Sequence, residues 1–191
     1  EKASDVTDDS KYHNVVKKSA EPKLKEFRKL CFGNSAVDIP AAKKLVEALK
    51  NNTTINHLKL VRNNIDAQTL YVLMPIFHAS KYLTYLDLWS NNIGNAGAKA
   101  MAKMLLTNKV LTVLNLNHNR ISLPGATAIA QALVVNKTLT CLYISENDLG
   151  EAGVKIFLKS LKRNSVIIKL SLDMENIDQT VADKVRYLVK R

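Results

Sequence analysis

The sequence predicts an α/β solenoid assembled from 28-residue strand–helix units, and three observations predict it. The pattern Ile55-x-x-Leu58-x-Leu60-x-x-Asn63-x-Ile65 returns as Leu83, Leu86, Leu88, Asn91 and Ile93, then as Leu111, Leu114, Leu116, Asn119 and Ile121. It returns again as Leu139, Leu142, Ile144, Asn147 and Leu149, and as Ile167, Leu170, Leu172, Glu175 and Ile177, where Glu replaces the Asn. One period upstream, Phe27, Leu30, Phe32, Ser35 and Val37 form a degenerate first copy. No insertion breaks the period, which is how a stack of identical units reads. An open stack offers a long surface rather than a closed pocket.

Each unit opens on a strand. Alternation at period two turns Leu58/Leu60, Leu86/Leu88 and their equivalents to one side. The Asn that follows both donates and accepts hydrogen bonds, so a column of Asn63, Asn91, Asn119 and Asn147 can satisfy turn backbone that no ladder reaches. A helix comes next. Its start is marked by Asp38 before Ile39-Pro40, by Asp66, by Ser122 before Leu123-Pro124, and by Gly150-Glu151. Small residues recur at Ala41, Gly97, Gly125 and Gly153, where they are expected to let helix and strand approach. Apolar residues then follow at helical spacing, as in Ala98, Met101, Met104 and Leu105, and mark the core. The unit at 66–80 departs: Thr69 replaces the small residue and Pro75 falls mid-helix, predicting a kink or break.

The ends read as caps. Residues 1–26 are expected to be a polar tail and a capping helix, with Tyr12, Val15, Val16 and Ala20 at helical spacing before Pro22. Residues 27–177 hold six units. Residues 178–191 are expected to be a C-terminal capping helix, opened by Asp178, carrying Val181, Val185, Leu188 and Val189, and ending in basic residues that suit a helix C-terminus.

The apolar fraction of 47% supports a continuous core, and no apolar run approaches the ~20 residues of a membrane span. The first residues carry no secretory-signal pattern, and the chain begins at Glu1 rather than Met. Cys31 and Cys141 fall four units apart, ~19 Å at strand spacing, beyond disulfide reach; thiols kept apart in this way point to a reducing compartment. Asn51, Asn52 and Asn136 begin N-x-T triplets, but Asn52, Asn108, Asn136 and Asn164 share one register position, which favours a structural role over glycosylation. The net charge is +11. Residues 1–26 hold six basic and six acidic side chains, so the excess lies in the units and the C-terminal cap.

The complete unit, L-x-x-L-x-L-x-x-N-x-I followed by G-x-x-G-A-x-x-x-A and L-x-x-N-x-x-L, is clearest from Asn91 to Leu111. It resembles the ribonuclease-inhibitor-like subfamily of leucine-rich repeats, found in NOD-like receptors, the Ran GTPase-activating protein, tropomodulin and some bacterial effectors delivered into host cells. The resemblance covers about residues 27–177. It implies a right-handed horseshoe, with a parallel sheet on the concave face and helices on the convex face. It also implies a cytoplasmic, protein-binding role. The shared motif is scaffold, so it transfers no functional residue.

Binding residues therefore have to be found in the strand positions that the leucines leave free. Lys29, His57, Tyr85, Val113, Cys141 and Lys169 form one column. Cys31, Lys59, Asp87, Asn115, Tyr143 and Ser171 form the next. Gly33, Val61, Trp89, Asn117, Ser145 and Asp173 form a third, and Asn34, Arg62, Ser90, His118, Glu146 and Met174 a fourth. The one Trp of the chain and two Tyr stand here, and such rings anchor interfaces. The expected site is Tyr85, Trp89 and Tyr143, ringed by Lys59, Arg62, Asp87, Asn115, Asn117, His118 and Glu146. Basic groups gather at the first units and acidic ones from Asp87 onward, which suits a protein partner better than a phosphate backbone. Lysines on the helices, such as Lys43, Lys99, Lys103 and Lys155, read as a solvated face.

Ser90, His118 and Glu146 share a column, but no G-x-S-x-G elbow or oxyanion hole accompanies them, so a hydrolase triad is rejected. The four histidines lack ligand spacing, and neither a metal nor a cofactor is expected. The reading is a non-enzymatic scaffold, inhibitor or recognition module, monomeric and without a membrane span. One alternative is an enzyme regulator such as a GTPase activator, with Arg62 meeting phosphate. Another is electrostatic binding to nucleic acid or acidic membrane.

Overall fold

The computed structural model describes Leu24, residues 27–175 and residues 177–189. Among these, six strands alternate with six helices: β1 (Lys29–Gly33), α1 (Ile39–Leu49), β2 (His57–Val61), α2 (Ala67–Ala79), β3 (Tyr85–Asp87), α3 (Gly94–Thr107), β4 (Val113–Asn115), α4 (Leu123–Val135), β5 (Cys141–Tyr143), α5 (Gly150–Leu161), β6 (Lys169–Ser171) and α6 (Gln179–Val189). The strands form one parallel sheet in sequence order, and every pairing joins residues one period apart, as in Leu58 to Leu86 and Leu114 to Leu142. Cys31 and Cys141 thus lie in β1 and β5, four strands apart. Apart from Leu24, the expected tail and first capping helix lie outside the described residues.

The core lies between sheet and helices. Leu58, Leu86, Leu114 and Leu142 are fully buried against Leu70, Ala98, Met101, Ala126 and Ile129 from the helices. Strands sit ~4.8 Å apart, whereas packed helices need about 8–10 Å. The sheet therefore lines the inside of the curve and the helices the outside.

Two asparagine ladders tie the units together. In the first, Asn91 Nδ2 donates to Leu60 O at 2.8 Å and Leu88 O at 2.9 Å, and its Oδ1 accepts from Asn63 N and Ile65 N. Asn63, Asn119 and Asn147 repeat the arrangement. In the second, Asn108, Asn136 and Asn164 donate to the carbonyls of Phe77, Leu105 and Leu133, 31 residues upstream. Asn136 is 1% exposed, so its N-x-T triplet serves the fold.

The recurrent small residue acts differently from the expectation. A Cβ on Gly97 would fall 2.4 Å from Ile93 Cγ2 and 2.9 Å from Leu70 Cδ2, and one on Gly125 would fall 2.9 Å from Ala98 Cβ. The close approach is to the preceding turn and the neighbouring helix, not to the strand. Helix starts follow the reading at Asp38 and Asp66, whose carboxylates accept from Ala41 N and Thr69 N at 2.8 Å. Ser122 holds the N-cap position of α4 without a capping bond of its own; its hydroxyl accepts from Asn95 instead. At the far end Asp178 accepts from Val181 N and opens α6, which buries Ala182 and Val185.

Of the expected kink or break at Pro75, the break does not occur. Helix α2 runs unbroken from Ala67 to Ala79 with Pro75 inside it. Pro75 lies on the exposed side, where the carbonyl that loses its donor is open to solvent rather than buried, while Leu70, Leu73, Met74, Ile76 and Phe77 hold the inner face. The same unit lacks a ladder asparagine. Ser80 takes its place and caps Tyr82 N and Leu83 N, but its short side chain makes no bond back to the preceding unit. An open groove of about 590 Å³ lies there, lined by Val46, Leu49, Pro75, Ile76 and Tyr82. Local opening is expected to concentrate in this unit. Amide exchange should be faster over 66–80 than over 122–136; equal protection of the two segments would contradict this.

Candidate partner-binding face

Short strands with leucines turned inward leave alternate positions on the inside of the curve, and there the rings are held by neighbours one unit away. The rings of His57 and Tyr85 stack with centroids 5.1 Å apart at 16°. Lys59 Nζ stands 5.7 Å from the Tyr85 centroid. The Arg62 guanidinium carbon lies 4.4 Å from the centroid of Trp89, and Lys169 Nζ lies 5.1 Å from that of Tyr143. A cation over a ring is worth about 0.5–1 kcal/mol at an exposed site and more as water is excluded. All three rings are partly exposed, so each presents a pre-positioned apolar surface.

Asp87 was expected among the contacting residues, but it is only 8% exposed. Its Oδ1 accepts from Trp89 N at 3.1 Å, and its Oδ2 accepts from the Tyr85 hydroxyl at 3.5 Å. Asp87 therefore positions the two aromatics. Asn115 makes the equivalent backbone bond one unit on, accepting from Asn117 N, while Asn117 Oδ1 accepts from Ser145 N at 2.8 Å. These short polar side chains close the strand ends as Asx turns do.

Burial, then the Asp87 and Tyr143 charges, push the Tyr85 hydroxyl up to about 12. Its folded pKa exceeds the unfolded value near 10, so its contribution to stability is fully present below about pH 10 and is lost as pH rises through about 12. Spectrophotometric titration of tyrosinate should show one late component that Tyr85→Phe removes. Loss of an early component instead would contradict this environment. The Tyr143 hydroxyl beside Lys169 holds that lysine above its ordinary range.

The fourth column is not part of the flat face. Arg62, Ser90, His118 and Glu146 have φ of 53°, 55°, 54° and 57°, the left-handed region that disfavours residues with a Cβ. The conformation turns their N–H groups toward the next unit: Arg62 N reaches Trp89 O, Ser90 N reaches Asn117 O and His118 N reaches Ser145 O, each at 3.0 Å. Their side chains, with Asn64 and Arg120, line a rim groove of about 520 Å³. His118 Nδ1 and Glu146 Oε2 are 3.6 Å apart and both more than half exposed, which makes the pair weak. Among the described residues no hydrogen bond joins Ser90 to His118, so a relay is not assembled.

The strands thus bring together Tyr85, Trp89, Lys59 and Arg62, place Tyr143 two strands away, and set His118 and Glu146 on the rim. His57 and Lys169 were not counted as site residues, although the column containing Tyr85 names both. Among the described residues no helix is long and apolar enough to cross a membrane, and no group of His, Cys, Asp or Glu could hold a metal ion.

A family model described as Leucine Rich repeat matches residues 79–102, 107–130 and 135–157. The chain is similar in structure to a solved chain titled "Leiomodin-1 Actin-Binding Site 2 (ABS2)", at 22% identity and TM-score 0.55, over 98% of this chain and 90% of that one. It is also similar to a tropomodulin C-terminal domain from Caenorhabditis elegans, at 13% identity and TM-score 0.56, over 97% of this chain and 93% of that one. At these identities the likeness is one of fold. A search of curated protein sequences finds no match.

Proposed function

We propose that this leucine-rich-repeat solenoid is a non-enzymatic binding module that holds a protein partner on the inner face of its sheet. The observation that carries the reading is the set of three rings, each under a cation from a neighbouring unit. None of them belongs to the buried core, so the fold does not require them where they stand. Tyr85 and Trp89 form the centre, Tyr143 the second anchor, and Lys59, Arg62, Asn115, Asn117, His118 and Glu146 the polar surround. Asp87 fixes the geometry from beneath.

Actin is the first partner to test, because one structural neighbour is titled as an actin-binding site. Calorimetric titration of purified monomeric actin should show binding that Trp89→Ala abolishes and Lys103→Glu preserves. Absence of any binding removes actin from the proposal. Binding that survives Trp89→Ala removes the face. Arg62 lies against Trp89, and nothing in the structure favours a role for it at a phosphate.

A further inference from the structure

The excess positive charge is scattered along the sequence, and the fold gathers part of it on one flank. Every unit turns from helix to strand on the same flank of the solenoid, and the second asparagine ladder stacks the last three of these turns directly, with Asn136 and Asn164 also donating to the Asn108 and Asn136 carbonyls. Five consecutive turn segments, 48–56, 77–84, 105–112, 133–140 and 160–168, contain no Asp or Glu. They carry Lys50, Lys81, Lys109, Lys137, Lys162 and Arg163, all exposed; Lys50 pairs with Glu47, just before the first segment, at 3.9 Å. The opposite flank, where helices begin, is mixed: Asp38, Asp66, Asp148 and Asp178 stand there with Arg62 and Arg120.

Helix C-termini attract cations, and Lys137 Nζ does reach the Val134 carbonyl at 3.5 Å. That accounts for a lysine in each unit. It does not account for the apolar side chains between them. Tyr82, Leu106, Val135 and Ile168 are 44%, 44%, 54% and 63% exposed and fall in successive segments of this same flank. Four of the eight large hydrophobics exposed among the described residues are therefore interleaved with its cations.

We propose that this flank docks on an anionic phospholipid bilayer, with the lysines at the headgroups and Tyr82, Leu106, Val135 and Ile168 entering the interface. The complementarity is specific in kind. A bilayer is anionic at its face and apolar just beneath, and it is laterally uniform, which matches an edge whose last four segments each offer a cation and an exposed apolar side chain without a fixed register between them. A single-stranded nucleic acid would call for a series of stacking rings, and the flank offers only Tyr82. Docking by the flank leaves the inner face of the sheet open, so the two surfaces can be occupied together.

The test is flotation of the intact chain with vesicles of phosphatidylcholine alone or mixed with phosphatidylserine. Binding should require phosphatidylserine and fall with salt. Each lysine near the surface contributes roughly fivefold, so the triple variant Lys81→Glu, Lys109→Glu, Lys137→Glu should lose at least about a hundredfold. The variant Lys99→Glu, Lys103→Glu, Lys155→Glu carries the same net charge on the helix backs and should keep most of the binding. Leu106→Ser with Val135→Ser should weaken binding while retaining its salt dependence. Circular dichroism melts establish that each variant is folded. No preference for phosphatidylserine, equal losses in the two triple variants, or binding to polyglutamate or an oligonucleotide without binding to vesicles would each overturn the proposal.

Discussion

Asn119→Ala is expected to lower stability by about 2 kcal/mol, which in a chain of this length is roughly 4–8 °C of melting temperature. Asn119 is fully buried. Its Nδ2 donates to Leu88 O at 2.8 Å and Asn117 O at 2.9 Å, and its Oδ1 accepts from Ile93 N at 3.4 Å. Alanine leaves Leu88 O and Ile93 N without this side-chain partner, with water excluded. It also loosens the turn between two units, and in a solenoid the neighbour interface is the unit of stability. The folded fraction should still bind its partner, because the hydrogen bonds of this side chain run to backbone groups and not to a ring of the inner face. A melting temperature equal to that of the unmodified protein would remove the ladder as a stabilising element.

The second large effect is expected at Trp89. Trp89→Ala should weaken partner binding by at least tenfold, since truncating a central aromatic anchor typically costs ~2–4 kcal/mol. The fold should survive. The backbone bonds at this residue, Trp89 N to Asp87 Oδ1 and Arg62 N to Trp89 O, do not involve the ring. Arg62 loses the surface it lies on and gains freedom, which adds an entropic cost to binding. Lys103→Glu, on the outer helices, should leave affinity nearly unchanged.

The repeat is strongly legible in the sequence because each unit buries the same positions, so period, strand placement, ladder and core follow from one pattern. The inner-face columns were legible too, since period-two alternation decides which side chains the core does not take. Four features were not. The burial of Asp87 and its bonds to Trp89 N and the Tyr85 hydroxyl depend on a strand end closing over the side chain. The left-handed turn at Arg62, Ser90, His118 and Glu146 has no glycine to announce it; hydrogen bonds to the next unit impose it. The continuity of α2 through Pro75 follows from which side of the helix the ring meets. The gathering of six cations on one flank was likewise invisible, because residues 28 apart become neighbours only once the units stack.

The most direct test of the inner-face reading uses the single tryptophan as a reporter. The chain is labelled with fluorotryptophan, and one fluorine resonance, that of Trp89, is followed while actin is added. The account predicts that this resonance shifts or broadens in proportion to complex formation, and that Tyr143→Ala weakens the response. A resonance that stays sharp and unmoved at saturation, with binding abolished by Lys103→Glu, would place the partner on the helices and contradict it.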